Sequence, residues 1–230
     1  MAYLFVFTVW YPSPFAALAG GARLFLLLVL VDVVMGPVLT AVVASAGKLR
    51  RELVRDLSII VVLQLAAFAY GIFSVALARP VALVFEVDLL RLVSAADIDP
   101  EELKKAPVEL RNLSWSGPRL LAVVKPTDPT EQYQAIQLGL AGIQLAMLPK
   151  YWRNYDEYVD SVWRQARPVQ ALLSKYPESA KSMENIATLT GQTTQTLRFM
   201  PLLARQVSWV AVIAGPDAHI VGYLPFDGFF

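Results

Sequence analysis

The chain has no cysteine and a single histidine, His219, among its 230 residues. The first absence excludes disulfides, thiol catalysis and cysteine metal sites, and leaves the cellular compartment open. The second excludes a histidine-rich metal centre and any chemistry that needs two imidazoles. Charge is scarce as well: 17% of residues are Asp, Glu, Lys or Arg, against about 25% in an ordinary soluble domain. The two signs nearly cancel, 20 basic to 19 acidic, so no overall field draws nucleic acid to the protein. The phosphate-binding loop, the dinucleotide fingerprint, the serine-hydrolase elbow and the zinc-protease His-Glu pattern are all missing. What the chain has in excess is apolar side chains, 56% of the total, with a mean hydropathy of +0.49. That composition points to a membrane protein and away from a disordered, collagen-like or coiled-coil chain.

The excess is concentrated at one end. Residues 1–78 carry eight charges and residues 79–230 carry the other 31. Leu24 to Ala46 holds one charge, Asp32, over 23 residues. At about 1.5 Å per residue it reaches roughly 35 Å, enough for a hydrocarbon core of about 30 Å. Leu57 to Ala78 holds none over 22 residues. Both are predicted to be transmembrane helices. Met1 to Tyr11 is apolar but reaches only about 16 Å, and Pro12 and Pro14 end it. The connector 47–56 contains Lys48, Arg50, Arg51 and Arg55, which places it in the cytoplasm. The second helix is then expected to run outward, with residues 79–230 as a domain on the far side, which in a Gram-negative bacterium is the periplasm; a free cytoplasmic domain is the competing topology.

Within that domain, residues 81–94 are rich in β-branched and apolar residues and predict one long strand or a tight hairpin. Asp99-Pro100 predicts a short helix over 97–105, with Asp99 as its cap. Arg119–Val124 is a predicted strand. Asp128-Pro129-Thr130-Glu131 starts a helix that runs to about Gly142. Tyr151–Ala166 carries aromatics at three- and four-residue spacing and predicts an amphipathic helix. Pro168–Ser174 and Glu178–Leu189 predict two more helices. Arg198–Arg205, Val207–Ile213 and His219–Leu224 predict strands, with a turn at Gly215-Pro216-Asp217. The expected class is therefore membrane-anchored α+β, with antiparallel strands flanking a helical middle.

Two places draw chemical interest. Glu86 and Asp88 stand two apart on a predicted strand and so share a face, which suits either acid–base work or cation binding; a solvated strand face is the plainer reading. Asp32 lies about 13 Å into a membrane helix, where a charge costs at least about 2.5–3.5 kcal/mol. Four residues on, Gly36-Pro37 loosens the backbone. Tyr70 on the other helix reaches the depth of Asp32, and Gln64 lies one to two turns nearer the cytoplasm. An Asp32–Tyr70 hydrogen bond is the expected structural role. A polar contact from Asp32 to a partner's membrane helix is the functional one. Small residues along both helices (Gly36, Ala41, Ala44, Ala66, Ala67, Ala69, Gly71) are expected to pack the two helices together.

These residues also carry a resemblance. Trp10-Tyr11-Pro12-x-Pro14-Phe15, Asp32-x-x-x-Gly36-Pro37-x-x-Thr40, Arg55-Asp56-Leu57, Gln64-Leu65, Tyr70-Gly71, and Arg79-Pro80-Val81 with Phe85-Glu86-x-Asp88 resemble the type IV pilin accessory proteins of the TfpX/TfpZ type. The likeness spans about residues 10–100, and Pro149-x-Tyr151-Trp152 extends it weakly. It implies an inner-membrane factor that helps a type IV major pilin mature, persist or assemble, with the pilus assembly machinery as a further partner. It implies no enzymatic activity and no cofactor. Family members have a full-length first membrane helix, and an Arg-aromatic pair where Leu89-Leu90 stands here. The rival readings are a membrane-anchored periplasmic sensor or ligand-binding module, and a membrane enzyme using Asp32 or Glu86/Asp88.

Overall fold

A computed structural model describes residues 2–43, 50–205 and 207–230; the side chains of residues 2, 22–24, 27, 28, 31, 32 and 43 are outside the description. Two long helices, Gly21–Val43 and Arg50–Leu77, dominate the first third. The second has 28 residues and is long and apolar enough to cross a membrane. The helices pair with each other, and buried Phe25 and Val75 meet in one cluster near one end of the pair. The connector expected over 47–56 is helical from Arg50 onward, and Lys48 lies outside the described residues. Ahead of the pair, Ala2–Phe5 is a short α-helix and Val6–Trp10 a wider π-helical turn.

The rest is built on one eight-stranded sheet. Residues 81–94 form a hairpin: β1 (Pro80–Glu86) and β2 (Leu89–Ser94), joined across Val87-Asp88. β3 (Arg119–Val123) lies parallel to β1, with Leu83 opposite Leu120. β4 (Trp152–Asn154) is antiparallel to β3. The two-residue β5 (Arg167–Pro168) adds to β6 (Arg198–Leu203), which lies parallel to β2. β7 (Ser208–Ala214) and β8 (His219–Leu224) complete the order β4-β3-β1-β2-β6-β7-β8 with antiparallel pairing. The sheet is therefore mixed, and the expectation of antiparallel strands alone is corrected. β1 is central and flanked on both edges. Its run Val81-Ala82-Leu83-Val84-Phe85 is buried on both faces, which explains why it is continuous rather than alternating.

Strand alternation sorts the core. Leu83, Phe85, Met200, Leu202, Ala211 and Ile213 point to one face of the sheet. On the other face, Ala82, Val84 and Val93 meet Ile98, Ala146 and Trp152, while Phe199, Val210 and Val212 meet Leu172 and Met183. The helices Val169–Lys175 and Ala180–Thr190 carry the last two.

Capping residues act where expected. Asp99 accepts from the Glu101 and Glu102 amides at 2.7 and 3.3 Å. Asp128 accepts from the Glu131 amide at 3.0 Å at the start of the helix Pro129–Leu140. The helix expected over 151–166 is the main departure. Trp152–Asn154 joins the sheet, Tyr155–Tyr158 is a 3₁₀ turn, and only Val159–Gln165 is α-helical. Strand pairing with β3 and the Trp152 indole donating to the Ala146 carbonyl at 2.9 Å override the helical periodicity.

Candidate functional site

The residues singled out from the sequence fall into three places. The first is the helix pair. Gly36 is buried against Gln64: a Cβ there would come within 2.7 Å of the Gln64 amide nitrogen. The missing side chain lets the flexible end of Gln64 lie against the Gly36 backbone. Pro37 lies within a continuous helix and faces outward. The Thr40 hydroxyl donates to the Gly36 carbonyl at 2.9 Å, which satisfies a polar side chain within its own helix. The Asp32–Tyr70 bond falls outside the described residues, because the Asp32 side chain is not among them. Tyr70 itself is 73% exposed. Ala41, Ala66, Ala67 and Ala69 face outward instead of packing the pair, and Ala44 lies outside the described residues. The outer surface of the pair is thus apolar, with small residues interspersed.

The second place is the junction. The second helix ends at Leu77 and β1 begins at Pro80. The buried Arg79 guanidinium donates to the Ala76 carbonyl at 2.6 Å and the Ser114 carbonyl at 3.2 Å, and stacks 3.9 Å from the Trp115 ring centroid. Burial lowers its pKa from the ordinary arginine value, yet a guanidinium stays charged in any protein. Trp10 lies 6.1 Å from Trp115, ring to ring. Sequence reading singled out Arg79 and Trp10 but missed Trp115. The isolated Trp-Ser-Gly of a loop gave no signal of where it would fold.

The third place lies about 20 Å along β1 from the junction, by the rise of its residues. Phe85 is core. Glu86 and Asp88 do not share a face: Glu86 ends β1 buried, whereas Asp88 is exposed in the hairpin turn. Glu86 accepts from Arg91 at 2.6 Å and from the Ala146 amide at 3.3 Å. It also borders a cavity of about 490 Å³ lined by Lys125, Gln132, Ile136 and Gln144. A second cavity, about 300 Å³, lies on the opposite flank of the same helix, Pro129–Leu140, reaching Leu138 and Ile143. That helix is turned the unusual way. Glu131, Ala135, Leu138 and Gly139 are its half-buried positions, while Tyr133, Ile136 and Leu140 are 64%, 62% and 80% exposed. Three large apolar side chains at helical spacing, bordered by grooves, form an exposed patch of the kind that marks a contact surface. The Glu131 carboxylate anchors the helix by accepting from Lys150 and the Tyr151 hydroxyl, both at 3.3 Å, rather than closing a capping box. The i, i+3, i+7 spacing was readable beforehand, but periodicity alone does not say which face is buried. Among the described residues no three carboxylate or imidazole side chains gather as a metal site.

The chain thus joins a long apolar helix pair to a mixed-sheet domain that carries an outward-turned apolar helix. Comparison with known proteins gives the family. The fimbrial assembly proteins of serogroup E1 and serogroup I of Dichelobacter nodosus are each 32% identical to this chain over 228 residues, covering 97% of it and 88% of their own length. The fimbrial assembly protein of serogroups C1 and C2 of that bacterium is 44% identical over 101 residues, 44% of this chain and 77% of its own length. No protein-family model and no solved structure matches. The chain belongs to the fimbrial assembly proteins.

Proposed function

We propose that this protein is a non-enzymatic inner-membrane accessory factor that binds a type IV major pilin and promotes its assembly into the pilus. The observation that carries this reading is the kinship with fimbrial assembly proteins along 97% of the chain. The helix pair spans the inner membrane, with Lys48, Arg50, Arg51 and Arg55 on the cytoplasmic side and the sheet domain in the periplasm. A pilin awaiting assembly presents a membrane helix and a periplasmic head. The outward-facing small residues of the helix pair suit the first, and the Tyr133/Ile136/Leu140 stripe suits the second. Asp32 and Gln64 supply polar contacts within the bilayer. The absence of catalysis is supported by Glu86, whose oxygens are taken by Arg91 and the Ala146 amide while Asp88 stands apart. Affinity isolation of the detergent-solubilised protein from cells making the pilin is expected to bring down that pilin in near-stoichiometric amount. Its absence from the eluate in several mild detergents counts against the reading.

The cavity beside Glu86 favours a second reading, a ligand-binding module, since about 490 Å³ lies within the range of small-molecule sites. A Gln144→Trp substitution that fills the cavity and leaves pilin recovery unchanged separates the two.

A further inference from the structure

A membrane anchor and the domain beyond it ordinarily move relative to each other unless a large apolar interface joins them. Here the chain makes two separate attachments. The first is covalent and short. Only Ala78 and Arg79 separate helix from strand, and both are hydrogen-bonded: the Ala78 amide donates to Ser74 at 3.0 Å, and the Arg79 carbonyl accepts from Ala95 at 3.0 Å.

The second attachment is made by residues 6–19, which pass from the helix pair to the domain before the first long helix begins. Val6, Trp10 and Tyr11 are buried against Phe25 and Val75. The Tyr11 hydroxyl donates to the Val75 carbonyl at 2.9 Å, a buried bond that locks this segment to the second helix. Its ring lies over Gly21, where a Cβ would come within 2.6 Å. The segment then crosses to the domain. Pro12 lies against Gly117, where a Cβ would come within 2.7 Å and φ is +75°. Phe15 meets Tyr223 edge to face at 5.5 Å, and Leu18, 2% exposed, joins the sheet core with Leu83 and Ile213. Between the attachments sits Arg79, held by Ser114 and Trp115 of the loop that also meets Trp10 and Pro12.

We propose that residues 10–19 are a brace that fixes the sheet domain to the helix pair, so that the two move as one body. A hinge needs residues free to change φ and ψ, and the two-residue connection has none. The inference concerns mechanics alone and holds or fails independently of what the protein binds.

The test uses the full chain in lipid nanodiscs. The absence of native cysteine allows spin labels at Ile59→Cys and Leu189→Cys alone, both exposed, on the second helix and on the helix Ala180–Thr190. Double electron–electron resonance is expected to give one narrow distance distribution. The double substitution Phe15→Ala/Trp115→Ala, with the secondary structure checked by circular dichroism, is expected to widen it about twofold, as the domain regains the relative motion that is the default without a large apolar interface. Tyr11→Phe, which removes only one hydroxyl, keeps the fold and is expected to give an intermediate width. A broad distribution in the unmodified chain overturns the proposal. So does a narrow one that neither variant changes, because the short connection alone then holds the domain.

Discussion

At φ +64° Val87 holds a β-branched side chain in the left-handed region, at the first position of a two-residue hairpin turn. Such a residue is strained by about 1–2 kcal/mol, and Gly is the residue this turn position favours. Val87→Gly is therefore expected to raise the stability of the sheet domain by up to about 1 kcal/mol, read as a higher melting temperature. An unchanged or lower one removes the strain argument. Glu86 and Arg91 make the opposite case. Arg91→Met leaves a buried carboxylate without its partner and is expected to cost about 3–5 kcal/mol. The double change Glu86→Leu/Arg91→Met restores most of that loss. Chemical denaturation of the four proteins of the cycle measures the coupling, and a loss in the double variant equal to the sum of the two single losses would mean the pair is inert.

At the scale of elements, the helix Pro129–Leu140 is the one whose sequence and placement disagree most with simple burial. Replacing Tyr133, Ile136 and Leu140 by Ser removes side chains that are more than three-fifths exposed, so the melting temperature is expected to move by no more than about 2 °C, as for ordinary surface changes. Pilin recovery is expected to fall at least about tenfold, the loss of roughly 1.4 kcal/mol of binding. Full recovery moves the contact elsewhere. The helix pair offers a graded counterpart. Gly36→Ala meets only the flexible end of Gln64 and is expected to be tolerated, whereas Gly36→Leu forces the helices apart. Sequence reading located both long helices, the β character of residues 81–94 without choosing between one strand and a hairpin, the Asp99 and Asp128 caps and the last three strands, because each has a strong local signature. It did not locate β4, whose aromatics repeat at helical spacing but pair with β3, nor the parallel neighbours of β1 and β2, which are set by contacts distant in sequence. Arg79 and Gln64 were legible as unusual; what they touch, Trp115 and Gly36, depended on how separate segments come together.

The whole molecule carries a pH dependence that reports on its core. Burial pushes the Tyr223 hydroxyl up to about 12 and also raises that of Tyr155, which donates to the Ala218 carbonyl at 2.8 Å. Both groups are neutral when protonated, and the folded state holds their protons more tightly than the unfolded chain does. Their contribution is complete below the unfolded value near 10 and is lost as pH rises through about 12 for Tyr223. Stability is expected to be flat from pH 7 to 9 and to fall above 10, with Tyr223→Phe reducing the slope. An identical alkaline slope in that variant assigns the loss to other groups. A molecule braced at residues 10–19 presents its outer helix faces and its outward-turned helix in a fixed relation, which suits a partner with a membrane helix and a head. The most direct measurement is the amount of pilin sheared from the surface of cells that lack this protein but still make the pilin. Surface pilin is predicted to drop to near background and to return when the intact chain, but not its Tyr133/Ile136/Leu140→Ser form, is supplied. Normal surface pilin in cells without the protein contradicts the account.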